Sequence, residues 1–442
     1  MREAPMHEAL GDGLVMRRAT AADVDQLVAF NADIHRDGGP EPSAWIAAWT
    51  RDLAERPHPT VSIQDFLIVE DTNTSKIVSS LNLISQTWSY AGIPFGVGRP
   101  ELVGTHPNYR RRGLVRRQFD VIHRWSAERG ELVQAITGIP WYYRQFGYEM
   151  ALELEGACRM PHSAIPKLKE GQAEPYRLRP ATPDDLPFVV ETDLHSNQRY
   201  LIAALRDERL WRLELDGRSE KVRQVMAIVE APEGGRVGFV LHGRFRWAST
   251  LNVLAFELRP DASWLHVTPT VLRYLGVRGE ASTTHGSLAP FEALSFVFGT
   301  EHPLYKVLPR RLARIYPPYA FFVRVPDIPA FVRRIAPVLE QRLERSVARG
   351  YSGELVLSFY RSGVRLCFDQ GRLISVDPFT SPQDLKAGGL FPELTFLQLL
   401  FGWRAREEIE AAFPDCHTLG DDAHVLIDVL FPKMPSHVFG IQ

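Results

Sequence analysis

Between Glu101 and Ile136 the chain reads strand, basic loop, amphipathic helix, strand, and this order constrains the fold more than any other part of the sequence. The run Glu101-Leu102-Val103-Gly104-Thr105 has the character of a strand and is broken at His106-Pro107. Arg110-Arg111-Arg112-Gly113 follows as a short basic loop. Apolar residues then recur close to helical spacing, at Leu114, Val115, Phe119, Ile122 and Trp125, and Gly130 is placed to end that helix. Leu132 to Ile136 reads as a buried parallel strand. A strand–helix–strand unit buries its helix on the face of a sheet, which predicts an α/β architecture. The loop ends at a helix N-terminus, where unpaired backbone N–H groups and the helix dipole converge on an anion. The three arginines add charge and bidentate donors. The expected guest is the pyrophosphate of a nucleotide-like cofactor. A solvated loop is the commoner fate of an arginine cluster; the strand before this one and the glycine directly after it favour anion binding.

The length, 442 residues, suggests about three domains at ~150 residues each. A weak internal repeat supports such a division. Met16-Arg17-Arg18-Ala19-Thr20-Ala21-Ala22-Asp23-Val24 resembles Leu178-Arg179-Pro180-Ala181-Thr182-Pro183-Asp184-Asp185-Leu186. Each is a short strand, a threonine N-cap with an acid three residues on, and a helix. The first copy runs from about Leu14 to Gly156, in a domain at 1–157. Cys158 to Pro175 is polar, carries Pro161, Pro166 and Pro175, and reads as a linker. The second copy extends to about Gly286, in a domain at 158–300, with strand candidates at Val222–Val229, Arg236–Leu241 and Leu251–Leu258. In place of the basic loop it has Arg259-Pro260-Asp261-Ala262-Ser263-Trp264, which offers little to a phosphate, so a degenerate copy is expected.

A Pro- and Arg-rich stretch, Pro309 to Pro329, precedes a helix candidate at Phe331–Arg345 and a strand meander over Glu354–Tyr360, Val364–Phe368 and Leu373–Val376. Leu394–Gly402 and Val425–Phe431 read as helices on that sheet, giving a separate α+β domain at 301–442.

Composition bears mainly on what the protein binds. The net charge of -2 argues against a general nucleic-acid or anionic-membrane binder. The three cysteines, Cys158, Cys367 and Cys416, supply neither a disulfide framework nor a metal knuckle, and the fourteen histidines show no metal-ligand spacing. Glu3, Glu8 and Asp12 stand where a signal peptide needs an apolar stretch, and no run approaches the ~18 apolar residues of a membrane span. A cytoplasmic protein without a metal is expected.

Val103-x-Thr105, Pro107, Arg110-x-x-Gly113-x-Val115 and Tyr143-x-x-Phe146-Gly147-Tyr148 together resemble the GNAT-type acetyltransferases, and most closely their three-domain Eis-like branch. The motifs are specific only over about Glu101 to Met150; beyond them the likeness is one of layout. The resemblance implies an α/β (α+β) fold, with two tandem GNAT-type mixed-sheet domains, the first catalytic and the second degenerate, followed by a sterol-carrier-like α+β domain. It implies acetyl-CoA as co-substrate and a small-molecule or peptide amine as acceptor. It also implies a homo-oligomer, with hexamers among the states known in the branch. One position departs from the family pattern: Val115 stands where Gly or Ala is usual. Its N–H remains available, but the helix must sit slightly further from the cofactor.

The resemblance also assigns roles to residues. Leu102, Val103, Gly104 and Thr105 lie on the strand whose freed backbone groups would bond the pantetheine arm, one N–H polarising the thioester carbonyl. The loop from Arg110, with the amides of Arg111, Arg112, Gly113, Leu114, Val115 and Arg116, would cradle the pyrophosphate. Thr137 and Gly138 lie where the arm passes; a plain strand-ending turn is the alternative for those two. Tyr143 is the expected acid for the departing thiolate, with Tyr142 one register away, and Tyr148 is expected to fill a core site. An acceptor amine of pKa near ~10 must lose a proton before attack, and the branch uses its own terminal carboxylate, here that of Gln442. Glu101 and His123 are fallback bases.

Weaker candidates are Trp45, Trp49, Trp88 and Tyr90 as walls of an acceptor pocket, against a default of core packing. Asp33, Asp37 and Glu41 flank Gly38-Gly39-Pro40 and would attract a cationic amine, against a default of a solvated loop. The competing function is a lipid carrier or interaction protein using the C-terminal domain and its apolar Phe391–Phe401 stretch.

Overall fold

The computed structural model describes residues 7–36, 39–139, 141–285, 289–380 and 387–438. Three mixed sheets carry the architecture. The first holds β1 (His7–Gly11), β2 (Leu14–Arg18), β3 (Phe66–Asp71), β4 (Lys76–Tyr90), β5 (Ile93–Thr105), β6 (Val133–Ile136) and β7 (Glu149–Leu154), with helices α1 (Val24–Ile34), α2 (Ala44–Glu55) and α3 (Leu114–Glu128). The α3 helix buries Leu114, Phe119, Ile122 and Trp125, the face its spacing predicts. The β6 strand pairs in parallel with β5, as the strand–helix–strand reading requires.

The second sheet repeats the first. Its strands at Arg177–Pro180 and Val225–Glu230 pair antiparallel, and helix Leu186–Asn197 follows a capping box at Thr182 and Asp185 that matches the one at Thr20 and Asp23. The likeness extends to a half-buried ion-pair network. Arg17 donates to Asp23 at 2.7 and 2.8 Å and to Glu70 at 2.8 and 3.0 Å. Arg179 bonds Asp185 at 2.7 and 2.9 Å and Glu230 at 2.7 Å. Two such triads, joining strand, helix cap and neighbouring strand at matching places, make two tandem domains of one fold the simplest account.

Two boundaries differ from the sequence reading. Cys158 to Pro175 is not wholly a linker, because Ala157–Pro161 is a strand of the second sheet, paired with Ala293–Phe296 and Ala313–Tyr316. A break at 300/301 falls before two strands that belong to the earlier sheets. Ala313–Tyr316 lies in the second, and Tyr319–Arg324 inserts between β6 and β7 in the first. The buried side chains of Phe321, Phe322 and Val323 account for that insertion.

The third sheet starts at Gly353 and contains the expected meander, Gly353–Ser358, Gly363–Asp369 and Arg372–Phe379. Helices Ile328–Glu344, Glu393–Leu400 and Asp421–Leu430 cover it. Phe391, Phe396 and Phe401 are fully buried there, so side chains fill the space a lipid tunnel would need. The units interlock. Ile202–Ala204 adds to β4 at Trp88–Tyr90, and Tyr90 donates its hydroxyl to the Leu400 carbonyl at 2.9 Å. The chain beyond the last helix is strapped across this junction by Met434 N–H to Gly402, Leu201 N–H to Pro435 and His437 N–H to Ile202. His437 runs parallel to Ala203 and hence antiparallel to β4, in the direction of the Asn82–Glu101 end of that strand.

Candidate active site

A break in the first sheet creates the site. The β5 strand pairs with β6 only at Val97 and Gly98. On its other side Ser80 faces Gly104 while Asn82 faces Glu101, so β5 carries an extra residue there, with Leu102 at φ 53°. A left-handed leucine marks a bulge that bends the strand. Past Gly98 β5 and β6 are no longer paired, and a cleft of about 970 Å³ opens between them.

The basic loop closes one end. Tyr109 donates to Asp71 at 2.6 Å, Arg110 to the Thr105 carbonyl at 3.3 Å, and Arg111 and Gly113 take left-handed φ values of 62° and 73°. Gly113 caps α3 with no side-chain hydrogen bond, and a Cβ there would meet nothing within 4 Å. The first N–H groups of α3 have no partner within the helix, and Gly113 to Arg116 line the cleft. Gln118 pins the helix from below, accepting from Ser79 at 2.7 Å and donating to the Leu67 carbonyl at 2.9 Å. Arg116 donates to Gln145 at 2.7 Å and lies over the Phe146 ring.

Leu102, Val103, Gly104, Thr105, Arg110, Arg111, Arg112, Gly113, Leu114, Val115, Arg116, Thr137, Gly138 and Tyr143, all singled out in the sequence, line this one cleft. Tyr143 sits on a short turn between two left-handed residues, Trp141 and Gly147, and its ring packs among Phe119, Phe322 and Tyr148. Burial first, and then the nearby Glu101 charge, push its phenol well above the usual tyrosine range. The hydroxyl stays protonated at neutral pH and makes no hydrogen bond among the described residues. Tyr142 also lines the cleft but is less buried.

The fallback bases separate. Glu101 faces the cleft, 2.5 Å from Arg99; burial raises its carboxyl against the lowering effect of that guanidinium. His123 does not reach the cleft: its Nε2 bonds the Tyr148 hydroxyl at 2.8 Å, and burial lowers its pKa to about 3. Tyr148 is fully buried, the core role expected of it. Gln442 and Asp37 lie outside the described residues. Trp49 lines the cleft and packs on Trp45 at 5.3 Å, but Trp88 and Tyr90 are fully buried at the junction with the third unit and wall no acceptor pocket. Asp33 pairs with Arg36, and Glu41 is exposed. Sequence reasoning missed His35, at the end of α1, because only the fold brings it to the bulge. Among the described residues no helix is long and apolar enough to cross a membrane, and no group of His, Cys, Asp and Glu is arranged to hold a metal ion.

Residues 15–151 match the family model of the acetyltransferase (GNAT) domain. The chain carries a GNAT acetyltransferase domain. The likeness in fold runs the length of the chain. A GCN5-related N-acetyltransferase from Kribbella flavida is 16% identical, with 97% of this chain and 100% of that one covered at a TM-score of 0.66. A probable N-acyltransferase from Enterococcus faecalis V583 is 14% identical over 99% and 100%, at 0.68. Eis1 from Mycobacterium abscessus is 15% identical over 95% and 98%, at 0.59. No curated protein sequence matches. The matched domain holds the cleft at its splayed strands, and the fold of the whole chain is similar to that of these structures.

Proposed function

We propose that the protein is an acetyl-CoA-dependent N-acetyltransferase that passes the acetyl group directly to a primary amine in a ternary complex. The observation that carries this reading is the convergence of three parts on one cleft: the uncapped N-terminus of α3, the freed edge of β5 and the Tyr143 phenol. The co-substrate supplies an activated acetyl thioester, and the residues present suit it. The amides from Arg111 to Arg116, with the arginine side chains, match a pyrophosphate in charge and donor geometry. The unpaired edge from Leu102 to Thr105 offers N–H and C=O groups to the amide-bearing pantetheine arm, with one N–H left to hold charge on the thioester carbonyl. Thr137 and Gly138 border the passage.

Tyr143 then donates its proton to the sulfur as it departs. A protonated phenol with no competing partner suits that role. The acceptor ammonium loses its proton to the α-carboxylate of Gln442. Acceptors in the proposed class are polyamines, aminoglycoside-like molecules and lysine side chains, and a homo-oligomer, such as a hexamer, is the proposed working form. The test is an acceptor panel with a free-thiol readout, run on the intact chain and on a chain lacking its last three residues. Thiol release that depends on amine and collapses on truncation supports the reading; release unaffected by truncation removes Gln442 from it.

A further inference from the structure

On the α1 side of β5, the imidazole of His35 meets the bulge. Its Nε2 is buried and has no hydrogen-bond partner among the described residues. In the tautomer that carries its proton on Nδ1, Nε2 is an acceptor. That nitrogen stands 3.4 Å from where a Cβ on Gly104 would lie, so no side chain separates it from the strand backbone. Ile34, Ile46 and Trp49 line the cleft on the same side, an apolar surround suited to the carbon chain of an alkylamine. A buried acceptor lacking a donor is unfavourable, and an N–H from a ligand relieves it.

We propose that His35 binds the acceptor: its Nε2 accepts a hydrogen bond from the attacking primary amine and aims the nitrogen lone pair at the carbonyl held along Leu102–Gly104. This rests on the acetyltransferase reading and adds to it the residue that orients the nucleophile. Burial holds the ring neutral near pH 7, so Nε2 keeps its lone pair there. The ammonium proton goes to the separate base before attack; the amine then keeps one N–H on His35 while its lone pair forms the C–N bond, the C–S bond breaks with Tyr143 protonating the sulfur, and the amine's other proton returns to the phenolate left on Tyr143.

The test uses the full-length chain with His35→Asn and His35→Gln, and spermidine, kanamycin and a lysine peptide as acceptor probes. Asparagine keeps a donor near the Nδ1 position but has no atom at Nε2; glutamine brings a carbonyl oxygen close to Nε2. The expected result for His35→Asn is a fall of about tenfold or more in kcat/KM for the amine, with KM for acetyl-CoA within about twofold of the parent. His35→Gln recovers much of the loss. Parental amine kinetics in His35→Asn would overturn the proposal, as would an equal weakening toward acetyl-CoA, which would confine the ring to supporting the bulge. A parent protein that transfers acetyl to none of the probes would overturn the underlying reading as well, so the two failures are told apart.

Discussion

The Tyr143 ring lies so close to Gly138 that a methyl group added to that glycine would stand 2.0 Å from ring carbon Cε2. Side-chain carbons do not approach to that distance, so one partner must move. Gly138→Ala is expected to push the phenol out of place, lowering kcat by about tenfold or more at a stability cost of about 1–3 kcal/mol. Steady-state kinetics beside thermal melts check this. Parental turnover would mean that the placement of the ring is immaterial.

Tyr143→Phe removes the proton and keeps the packing. Because the hydroxyl has no hydrogen-bond partner among the described residues, stability should change by less than about 1 kcal/mol. Turnover should fall by ~10²-fold or more, while acetyl-CoA binding measured by calorimetry stays near that of the parent. Undiminished turnover would transfer the acid role elsewhere, with Tyr142 the adjacent alternative.

Stability should decline in two stages as pH falls. Burial lowers His58, His242 and His437 to about 4 and His123 to about 3, against ~6.5 in the unfolded chain. Between pH 6.5 and 4 the unfolded chain therefore binds protons the folded one refuses, and folding stability drops with pH across that window. Below it Asp23 and Asp185 take over. Hydrogen bonds from Arg17 and Arg179 hold both at about 2, so stability present above ~pH 4 is lost as pH falls through 2. Melting temperature against pH, for the parent and for Asp23→Asn with Asp185→Asn, checks the second stage: the double variant should melt lower at pH 7 and lose its slope below pH 4.

Tyr90→Phe tests the coupling of the first and third units. It removes the donor to the buried Leu400 carbonyl and should cost about 1–3 kcal/mol, with kcat unchanged in the folded fraction. No loss of stability would mean that this bond contributes little to holding the units together.

The local grammar of the chain was legible, and its long-range pairings were not. The basic loop, the apolar stripe of α3 and both threonine caps are short-range signals, set by helix period and by hydrogen bonds three residues apart. The choice of Tyr143 comes from the family resemblance, through its distance to Phe146-Gly147-Tyr148, with Tyr142 one register away. By contrast, Tyr319–Arg324 joins strands some 180 residues earlier in the chain, and its sequence, lying within a Pro- and Arg-rich stretch, does not name its partner. Leu102 gives no warning of a left-handed backbone, because the bulge is imposed by the pairing on either side. For the same reason the sequence leaves Trp88 and Tyr90 open as pocket walls against a default of core packing, the role they take beneath the third unit, and His35 carried no signal at all.

The central claim, that an uncapped helix end and a splayed strand hold acetyl-CoA against a tyrosine, is tested most directly by one measurement. Purified protein is titrated with acetyl-CoA, and free thiol is followed before and after an amine is added. The account predicts saturable binding, little thiol without amine, and amine-dependent release that Tyr143→Phe suppresses. Absence of binding at millimolar acetyl-CoA, or release indifferent to amine, would contradict it.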